Sequence, residues 1–300
     1  MSNDRIDRRE FIAAAALLAA GCAAPGAMGG EAFRSDRISV VTQGSGPDVV
    51  LVHGLRSSRD VWRELVAAVP GYRYHLIQMN GFAGTSVPVA ASGGFLDATA
   101  AEIARYISET GLVRPALIGH SMGGTLGMMI AARHPSLVSR LMVVDMIPFM
   151  GGLFGPPGTT AETVKPTADA LRARMLGSDA PTLRKTIEDT IATMVKRDDR
   201  RAEAVHHGLT SDNAQSAQAF HELIVTDLRP ELVNIKVPVT VLYVRSPAVP
   251  ITDAQMDAYY KASYANVPQA KLVRIPDAYH FIMWDAPQRF AEEVRTFLGG

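Results

Sequence analysis

The chain has 300 residues, of which 47% are hydrophobic, and its 30 lysines and arginines equal its 30 aspartates and glutamates. That length is at the upper end for a single domain and allows a large buried core. Because the chain has no net positive charge and no interleaving of basic with aromatic residues, nucleic-acid binding has little electrostatic support. No nucleic-acid partner is therefore expected.

Residues 1–21 resemble an export signal. Arg8 and Arg9 resemble the twin-arginine motif, and the apolar stretch 11–20 is too short to span a bilayer but suits a signal that is removed. The only cysteine, Cys22, follows two alanines and a glycine as in a lipoprotein box, where a lipid is attached through a thioether. We expect export to the bacterial periplasm, with membrane anchoring through lipidated Cys22 or, alternatively, ordinary cleavage a few residues further on.

After a linker over residues 22–36, short apolar runs alternate with helical patterns. Strands are predicted near 37–42, 49–53, 73–79, 115–119, 139–145, 238–244 and 271–275. Helices are predicted near 59–69, 96–110, 122–133, 253–264 and 286–298. This alternation is typical of the α/β class, with a mostly parallel, doubly wound sheet covered by helices on both faces.

The five residues from Gly119 to Gly123 have the pattern G-x-S-x-G at the junction of a predicted strand and a predicted helix. Such a turn holds a serine hydroxyl out over the edge of the sheet. Small residues are needed on both sides because the nucleophile has a strained backbone and the neighbouring chain is close. Ser121 is therefore the candidate nucleophile. An unactivated serine is a poor nucleophile, so a histidine base and an orienting carboxylate are also required.

His280 is the candidate base. It follows the predicted strand 271–275 and a short turn, and it precedes the apolar residues 281–284, which would shield an imidazole from water. With Ser121, this placement resembles the α/β-hydrolase superfamily, in particular its serine-nucleophile members of the esterase and lipase type, from about Arg37 to the C-terminus. The segment Val49 to Gly54 also resembles that family, as the strand and His-Gly turn beside its oxyanion hole.

The resemblance implies further roles. The N–H groups of Leu55 and Met122 would face the developing oxyanion, and His53 would shape the turn without titrating. A hydrolase core would comprise residues 37–147 and 235–300. A helical cap over residues 148–234 would be inserted after the strand that ends near Asp145.

The carboxylate of the triad has two candidates. In most of the superfamily the acid follows the strand after the cap, but here residues 239–252 contain no carboxylate, and Ser246 or Pro247 stands in that position. Asp145 ends the strand after the nucleophile helix, where some members of the family carry the acid, and it is the favoured candidate. Asp253 is the alternative, although it also fits the first turn of a helix whose capping box is formed by neighbouring residues. An unconventional dyad stays open.

Two other acidic residues near the base have ordinary explanations. Asp277 lies in a tight turn, and Asp285 resembles the cap of the last helix. Within the cap, helical patterns cover 168–176, 182–196 and 216–225. The segment 148–157 that leads into it is rich in glycine and large apolar residues, which fits either a mobile entrance to an acyl pocket or a linker packed beneath the cap.

The predicted substrate pocket combines residues beside the nucleophile with the first part of the cap. Its members are His53, Gly54, His120, Met146, Phe149, Met150, Phe154 and Phe281. The cap histidines His206, His207 and His221 lack the cysteines or clustered carboxylates of a metal site. We therefore expect no metal and no cofactor.

The predicted reaction is hydrolysis of a carboxylic ester through an acyl-enzyme. Balanced charge and an apolar cap favour a small to medium, uncharged, hydrophobic ester. The same triad would also support an acyltransferase, a cofactor-free haloperoxidase or a carbon–carbon hydrolase. A catalytically silent ligand-binding protein and a structural lipid-anchored envelope protein are the alternatives from other classes.

Overall fold

The computed structural model describes residues 33–87, 94–246 and 249–299. The predicted export signal, the predicted lipidation site Cys22 and the loop residue Pro247 lie outside these ranges. Within them, no helix is both long and apolar enough to cross a membrane.

The described residues form one sheet of seven strands. These are β1 (Ile38–Gly44), β2 (Asp48–Val52), β3 (Arg73–Met79), β4 (Ala116–His120), β5 (Arg140–Val144), β6 (Val239–Tyr243) and β7 (Lys271–Arg274). Their spatial order is β1-β3-β2-β4-β5-β6-β7, and all neighbours are parallel except β1 and β3. The predicted mostly parallel sheet is confirmed, and each strand has nearly its predicted bounds.

Helices cover both faces of this sheet. In chain order they are α1 (Arg63–Ala68), α2 (Phe95–Glu109), α3 (Met122–Arg133), α4 (Ala161–Leu176), α5 (Ala180–Met194), α6 (Asp198–Thr210), α7 (Asn213–Val225), α8 (Asp253–Ser263), α9 (Ile282–Asp285) and α10 (Pro287–Leu298). Successive side chains of a strand point to opposite faces. In β2, Val50 and Val52 therefore join the core beneath α2 and α3, whereas Val49 and Leu51 join the core beneath α10. This double covering confirms the doubly wound class.

Four cap helices, α4 to α7, occupy the fully described interval between β5 and β6. Helices α4 and α7 share a small apolar core of Phe149, Val164, Ala168 and Ile224. Helix α6 was not predicted, because its first turn is fully polar and only Ala204, His207 and Gly208 are buried along its length. Without an apolar period, the sequence carries no helix signal there. Helix α4 begins earlier than predicted, at a capping box formed by Thr160 and Thr163.

Two predicted helix starts are corrected. The predicted helix 59–69 is a 3-10 turn, Arg59–Trp62, followed by the short helix α1. The predicted cap at Asp285 is wrong, because Asp285 ends α9 and helix α10 begins at Pro287 after a break at Ala286. Proline at the first helical position provides that start, since it needs no N–H partner there.

Candidate active site

Ser121 lies in a tight turn between β4 and α3. Its backbone has φ 53° and ψ −122°, and its N–H group donates to Val144 O at 2.9 Å. A Cβ at Gly123 would lie 2.2 Å from Val52 O, and one at Gly119 would lie 2.1 Å from Gly123 O. Both positions therefore require glycine. The Ser121 side chain does not cap α3, so its partly exposed hydroxyl is not tied to the helix.

The imidazole of His280 is held from one side by Asp145. Nδ1 of His280 donates to Asp145 Oδ2 at 2.6 Å, and the two side chains are 20% and 11% exposed. A proton on Nδ1 leaves the lone pair on Nε2, which is the tautomer that can accept a serine proton. The loop of His280 is fixed to the nucleophile turn, because Nε2 of His120 donates to His280 O at 3.0 Å and the two rings lie 4.6 Å apart.

Across residues 33–87, 94–246 and 249–299, no hydrogen bond joins the hydroxyl of Ser121 to His280. In unliganded hydrolases this contact is often long and tightens when substrate binds. The structure nevertheless brings both residues to the carboxyl edge of the sheet. Ser121 follows β4, and Asp145 follows the neighbouring strand β5, where Val144 is level with His120.

Asp145 is fixed by main-chain and side-chain contacts. Its backbone has φ 52°, and its N–H donates to Leu242 O at 2.7 Å. Oδ1 accepts from Val244 N–H and from the Tyr260 hydroxyl, both at 3.1 Å. One oxygen thus faces two donors, one directly after β6 and one on α8, and the other oxygen faces His280.

Asp253, the alternative acid, lies elsewhere. Its half-exposed carboxylate accepts from Arg245 and, at 2.7 Å, from Arg274. Those guanidinium groups hold the pKa of Asp253 below its usual value. Thr252 and Gln255 form the expected capping box at the start of α8. The structure brings Asp145, and not Asp253, into contact with His280.

The turn after β2 is set by His53, which is completely buried. Its Nδ1 donates to Gly54 O at 2.8 Å, and its Nε2 accepts from Met79 N–H at 3.1 Å. Burial lowers the pKa of His53 to about 3, so the ring is neutral. The prediction that His53 lines the pocket is therefore wrong, because it has no exposed surface. Gly54 does face the nucleophile, since a Cβ there would lie 3.0 Å from Ser121 Cβ.

The two predicted oxyanion donors are the N–H groups of Leu55 and Met122. Leu55 follows Gly54 in the turn, and Met122 is the first residue of α3, whose N–H has no partner within the helix. In the described part of the chain, neither N–H group is engaged in a hydrogen bond. Both are thus available to an oxygen bound near Ser121.

A family model described as "alpha/beta hydrolase fold" matches residues 47–287 of the chain. The protein belongs to the α/β-hydrolase family. Pimeloyl-[acyl-carrier protein] methyl ester esterase of Aeromonas salmonicida is 30% identical over 274 residues, which are 87% of this chain and 99% of that protein. The sn-1-specific diacylglycerol lipase ABHD11 of Mus musculus is 24% identical over 264 residues, or 84% of this chain and 81% of that protein.

Solved structures share the fold of this α/β-hydrolase. The structure of an esterase from Exiguobacterium antarcticum matches with a TM-score of 0.72 at 21% identity, and the match covers 88% of this chain and 96% of that one. At such identity the likeness concerns the fold.

The other predicted pocket residues are mostly packed. Phe281 is buried, with its ring 4.8 Å from that of His120, which is itself buried. Met146 belongs to the core of the sheet. Phe149 is 3% exposed and lies under the guanidinium of Arg229 at 4.5 Å, so it packs in the cap and does not line an open surface.

The rest of the segment 148–157 reaches the surface. Met150 is half-buried, Leu153 is exposed, and Phe154 is 36% exposed and packs edge-on against Phe220 at 6.1 Å between ring centroids. The start of the segment therefore packs in the cap and its end presents apolar surface, while its interpretation as an entrance to an acyl pocket stays a prediction.

The cap histidines do not converge. His206 is exposed and His207 is buried, while Nε2 of His221 bonds to Asp169 Oδ1 at 2.8 Å. Among the described residues, no group of three histidine, cysteine or acidic side chains could hold a metal ion.

Asp285 links the cap to the base, a role that the sequence did not reveal. Its carboxylate accepts from the main-chain N–H groups of Lys196 and Arg197, each at 3.1 Å, in the junction between α5 and α6. It also accepts from the N–H of Tyr279 at 2.9 Å, directly before His280. No local pattern marks such a residue, because its partners lie far along the chain.

Arg56 links the cap to the oxyanion turn in a similar way. It follows Leu55, has φ 52°, and donates to Gly208 O at 3.0 Å and to Asn213 Oδ1 at 2.5 Å, on both sides of the junction between α6 and α7. Gly84 N–H donates to Thr210 O in the same junction. Both ends of α6 are therefore attached to the catalytic edge of the core.

Proposed function

We propose that this α/β-hydrolase is a serine esterase that cleaves carboxylic esters through an acyl-enzyme, with Ser121, His280 and Asp145 as its triad. The observation that carries the proposal is the Nδ1–Oδ2 bond of 2.6 Å between His280 and Asp145, made next to a serine at φ 53°. Strain of that kind persists where the surrounding structure enforces it, often at catalytic nucleophiles.

In the first half of the reaction, His280 Nε2 takes the proton of the Ser121 hydroxyl as Oγ attacks the ester carbonyl. Asp145 stabilises the imidazolium that forms, because its Oδ2 already accepts the Nδ1 proton. The carbonyl oxygen gains negative charge, and the N–H groups of Leu55 and Met122 are placed to receive it. His280 then gives its proton to the departing alkoxide, which leaves as an alcohol.

In the second half, water replaces the alcohol. His280 Nε2 removes a proton from this water as it attacks the acyl-serine, and the same N–H pair stabilises the second tetrahedral oxyanion. Collapse of that intermediate returns the proton to Ser121 Oγ and releases the carboxylic acid. His280 therefore carries the transferred proton in both halves of the reaction.

Small to medium, uncharged, hydrophobic esters are the proposed substrates. The balance of charge and the apolar surface of Leu153 and Phe154 at the start of the cap support this class. The two named relatives act, by their names, on a methyl ester of a carrier-bound acyl chain and on diacylglycerol. Both names describe hydrolysis of a carboxylic ester, which supports the reaction class.

The test is hydrolysis of p-nitrophenyl butyrate, together with labelling by a fluorophosphonate probe. We expect turnover and labelling in the unmodified protein and neither in Ser121→Ala. Ser178→Ala is the matched control, because the Ser178 hydroxyl donates to Arg174 O within the cap, and this variant should leave both readouts unchanged. A protein that binds esters without turnover or labelling would be a silent ligand-binding member, and the proposal would be wrong.

We also propose, from the sequence alone, that the protein is exported and lipidated at Cys22. Arg8 and Arg9, the apolar stretch after them and the Ala-Ala-Gly-Cys segment support this. Expression of the full chain in a bacterium should give a detergent-phase protein whose N-terminal cysteine carries diacylglycerol by mass spectrometry. Cys22→Ser should release it to the aqueous phase. An unlipidated N-terminus beyond residue 22 would instead indicate ordinary signal cleavage.

A further inference from the structure

The carboxylate of Asp145 has a second side-chain partner besides His280. The hydroxyl of Tyr260 donates to Oδ1 at 3.1 Å, beside the main-chain N–H of Val244. Tyr260 lies on α8 and is 6% exposed. The contact therefore joins a helix that follows the cap to the acid at the end of β5.

An aromatic stack fixes the direction of this donor. The ring of Tyr260 lies 4.0 Å from that of Tyr243 at an interplanar angle of 17°, and 6.5 Å from that of Tyr264 at 10°. Burial raises the pKa of Tyr260 well above its ordinary value, and the nearby charge of Asp145 raises it further. The hydroxyl consequently keeps its proton at neutral pH and acts as a donor to Asp145.

We propose that Tyr260 is a positioning residue for the triad, which holds Asp145 in the rotamer that bonds His280 and limits how strongly the carboxylate binds the imidazolium. This inference rests on the proposed function. It concerns the particular place of the acid after β5, where α8 and the residue directly after β6 supply the two donors to Oδ1.

The expected effect on pH dependence has a definite sign. A carboxylate that loses one hydrogen-bond donor carries a less stabilised negative charge, so it attracts a neighbouring cation more strongly. Without the Tyr260 hydroxyl, Asp145 would hold the imidazolium form of His280 more tightly. The acid limb of the kcat/KM profile, which reports loss of the free base, would then move to higher pH.

Burial displaces the pKa values of the neighbouring His120, Tyr264, Tyr259 and Tyr243 away from neutrality. Burial lowers the pKa of His120, packed on His280 from β4, well below its ordinary value, and it raises the pKa of Tyr264 well above its own. Burial likewise raises the pKa of Tyr259, and it raises that of Tyr243 to about 12. A change in the acid limb therefore reports on the Asp145–His280 pair.

The experiment compares Tyr260→Phe with Tyr264→Phe in p-nitrophenyl butyrate hydrolysis from pH 5 to 9. Both changes remove a buried hydroxyl, one on α8 and one at the residue directly after it, but that of Tyr264 donates to Met146 O at 2.7 Å and not to Asp145. For Tyr260→Phe we expect kcat to fall roughly tenfold, the worth of one ordinary hydrogen bond, KM to stay within about twofold, and the acid limb to rise by about half a pH unit. For Tyr264→Phe we expect lower thermal stability and an unchanged acid limb.

A second measurement keeps the test decisive if Tyr260→Phe does not fold. Incorporation of 3-fluorotyrosine at position 260 keeps the ring and strengthens the donor, so it should move the acid limb to lower pH. An acid limb that stays in place in both variants, or that moves equally in Tyr264→Phe, would overturn the inference. Failure of the proposed function is separate, because it would appear in the unmodified protein as absence of turnover and of fluorophosphonate labelling.

Discussion

Asp145→Asn is the change whose outcome the structure defines most closely, because the hydrogen bonds around the carboxylate determine how an amide would lie. Oδ1 faces two donors, Val244 N–H and the Tyr260 hydroxyl, both at 3.1 Å. The asparagine oxygen must take that position, since an NH2 group there would meet two further donors. The NH2 group then points at His280, where Oδ2 had accepted a proton at 2.6 Å.

A donor at that position reverses the tautomer of the base. Nδ1 of His280 must then accept, so its proton moves to Nε2, and the ring can no longer take the proton of Ser121. In serine proteases the equivalent change lowers kcat by about 10⁴-fold, which corresponds to about 5 kcal/mol in the activation barrier. We expect a loss of that order in kcat for p-nitrophenyl butyrate, with KM within about threefold because the carboxylate does not contact the acyl group.

The assay needs Asp253→Asn as its matched control. The Asp253 carboxylate is half exposed and bonds to Arg245 and Arg274 at the surface, so its loss should change kcat by less than about twofold. Circular dichroism would verify that both variants are folded. The reasoning is refuted if Asp145→Asn keeps more than about a tenth of the activity, or if Asp253→Asn alone inactivates the enzyme.

Three further outcomes follow from the described geometry. Gly123→Ala places a methyl group 2.2 Å from a main-chain oxygen and should abolish soluble, active protein, whereas Gly177→Ala, whose nearest contact is 3.4 Å, should express normally. His53 has a pKa of about 3 in the folded protein, whereas a histidine in the unfolded chain titrates near 6.5, so protonation of His53 favours unfolding as the pH falls. Its contribution should lower the free energy of unfolding by about 2 kcal/mol between pH 7 and 5. Urea unfolding of His53→Gln, which keeps a donor and an acceptor, should lack this contribution, and an identical pH dependence in the two proteins would contradict the prediction. Asp285→Ala removes the acceptor of three main-chain N–H groups near the base and should lower kcat at least tenfold. The matched control is Asp277→Ala, which should leave kcat unchanged because the Asp277 side chain is 93% exposed. Equal kcat values in the two variants would contradict the role of Asp285.

Local patterns account for the parts of the site that the sequence predicted. The G-x-S-x-G turn is a property of a few consecutive residues, since the clash distances at Gly119 and Gly123 leave no room for another side chain. His280 was recognisable because its loop follows the last predicted strand. Asp145 emerged because residues 239–252 contain no competing carboxylate, and the structure places it in contact with the base.

Contacts between distant segments account for what the sequence missed. Nothing near Tyr260 indicates that its hydroxyl meets Asp145, because the pairing depends on how α8 packs against β5 and β6. Asp285 was interpreted as a helix cap from its neighbours, whereas its carboxylate bonds to the cap junction and the base loop. His53 was expected in the pocket, but its two ring nitrogens bind main-chain groups inside the core.

Because the acid Asp145 follows β5, the loop after β6 does not have to supply a carboxylate to the triad. Among the described residues of that loop, Val244 donates its main-chain N–H to Asp145 Oδ1 at 3.1 Å. Exposed side chains of this loop such as that of Val249 can therefore change in size and polarity without altering the reacting groups. Laboratory selection can vary such positions while the chemistry of the triad stays constant.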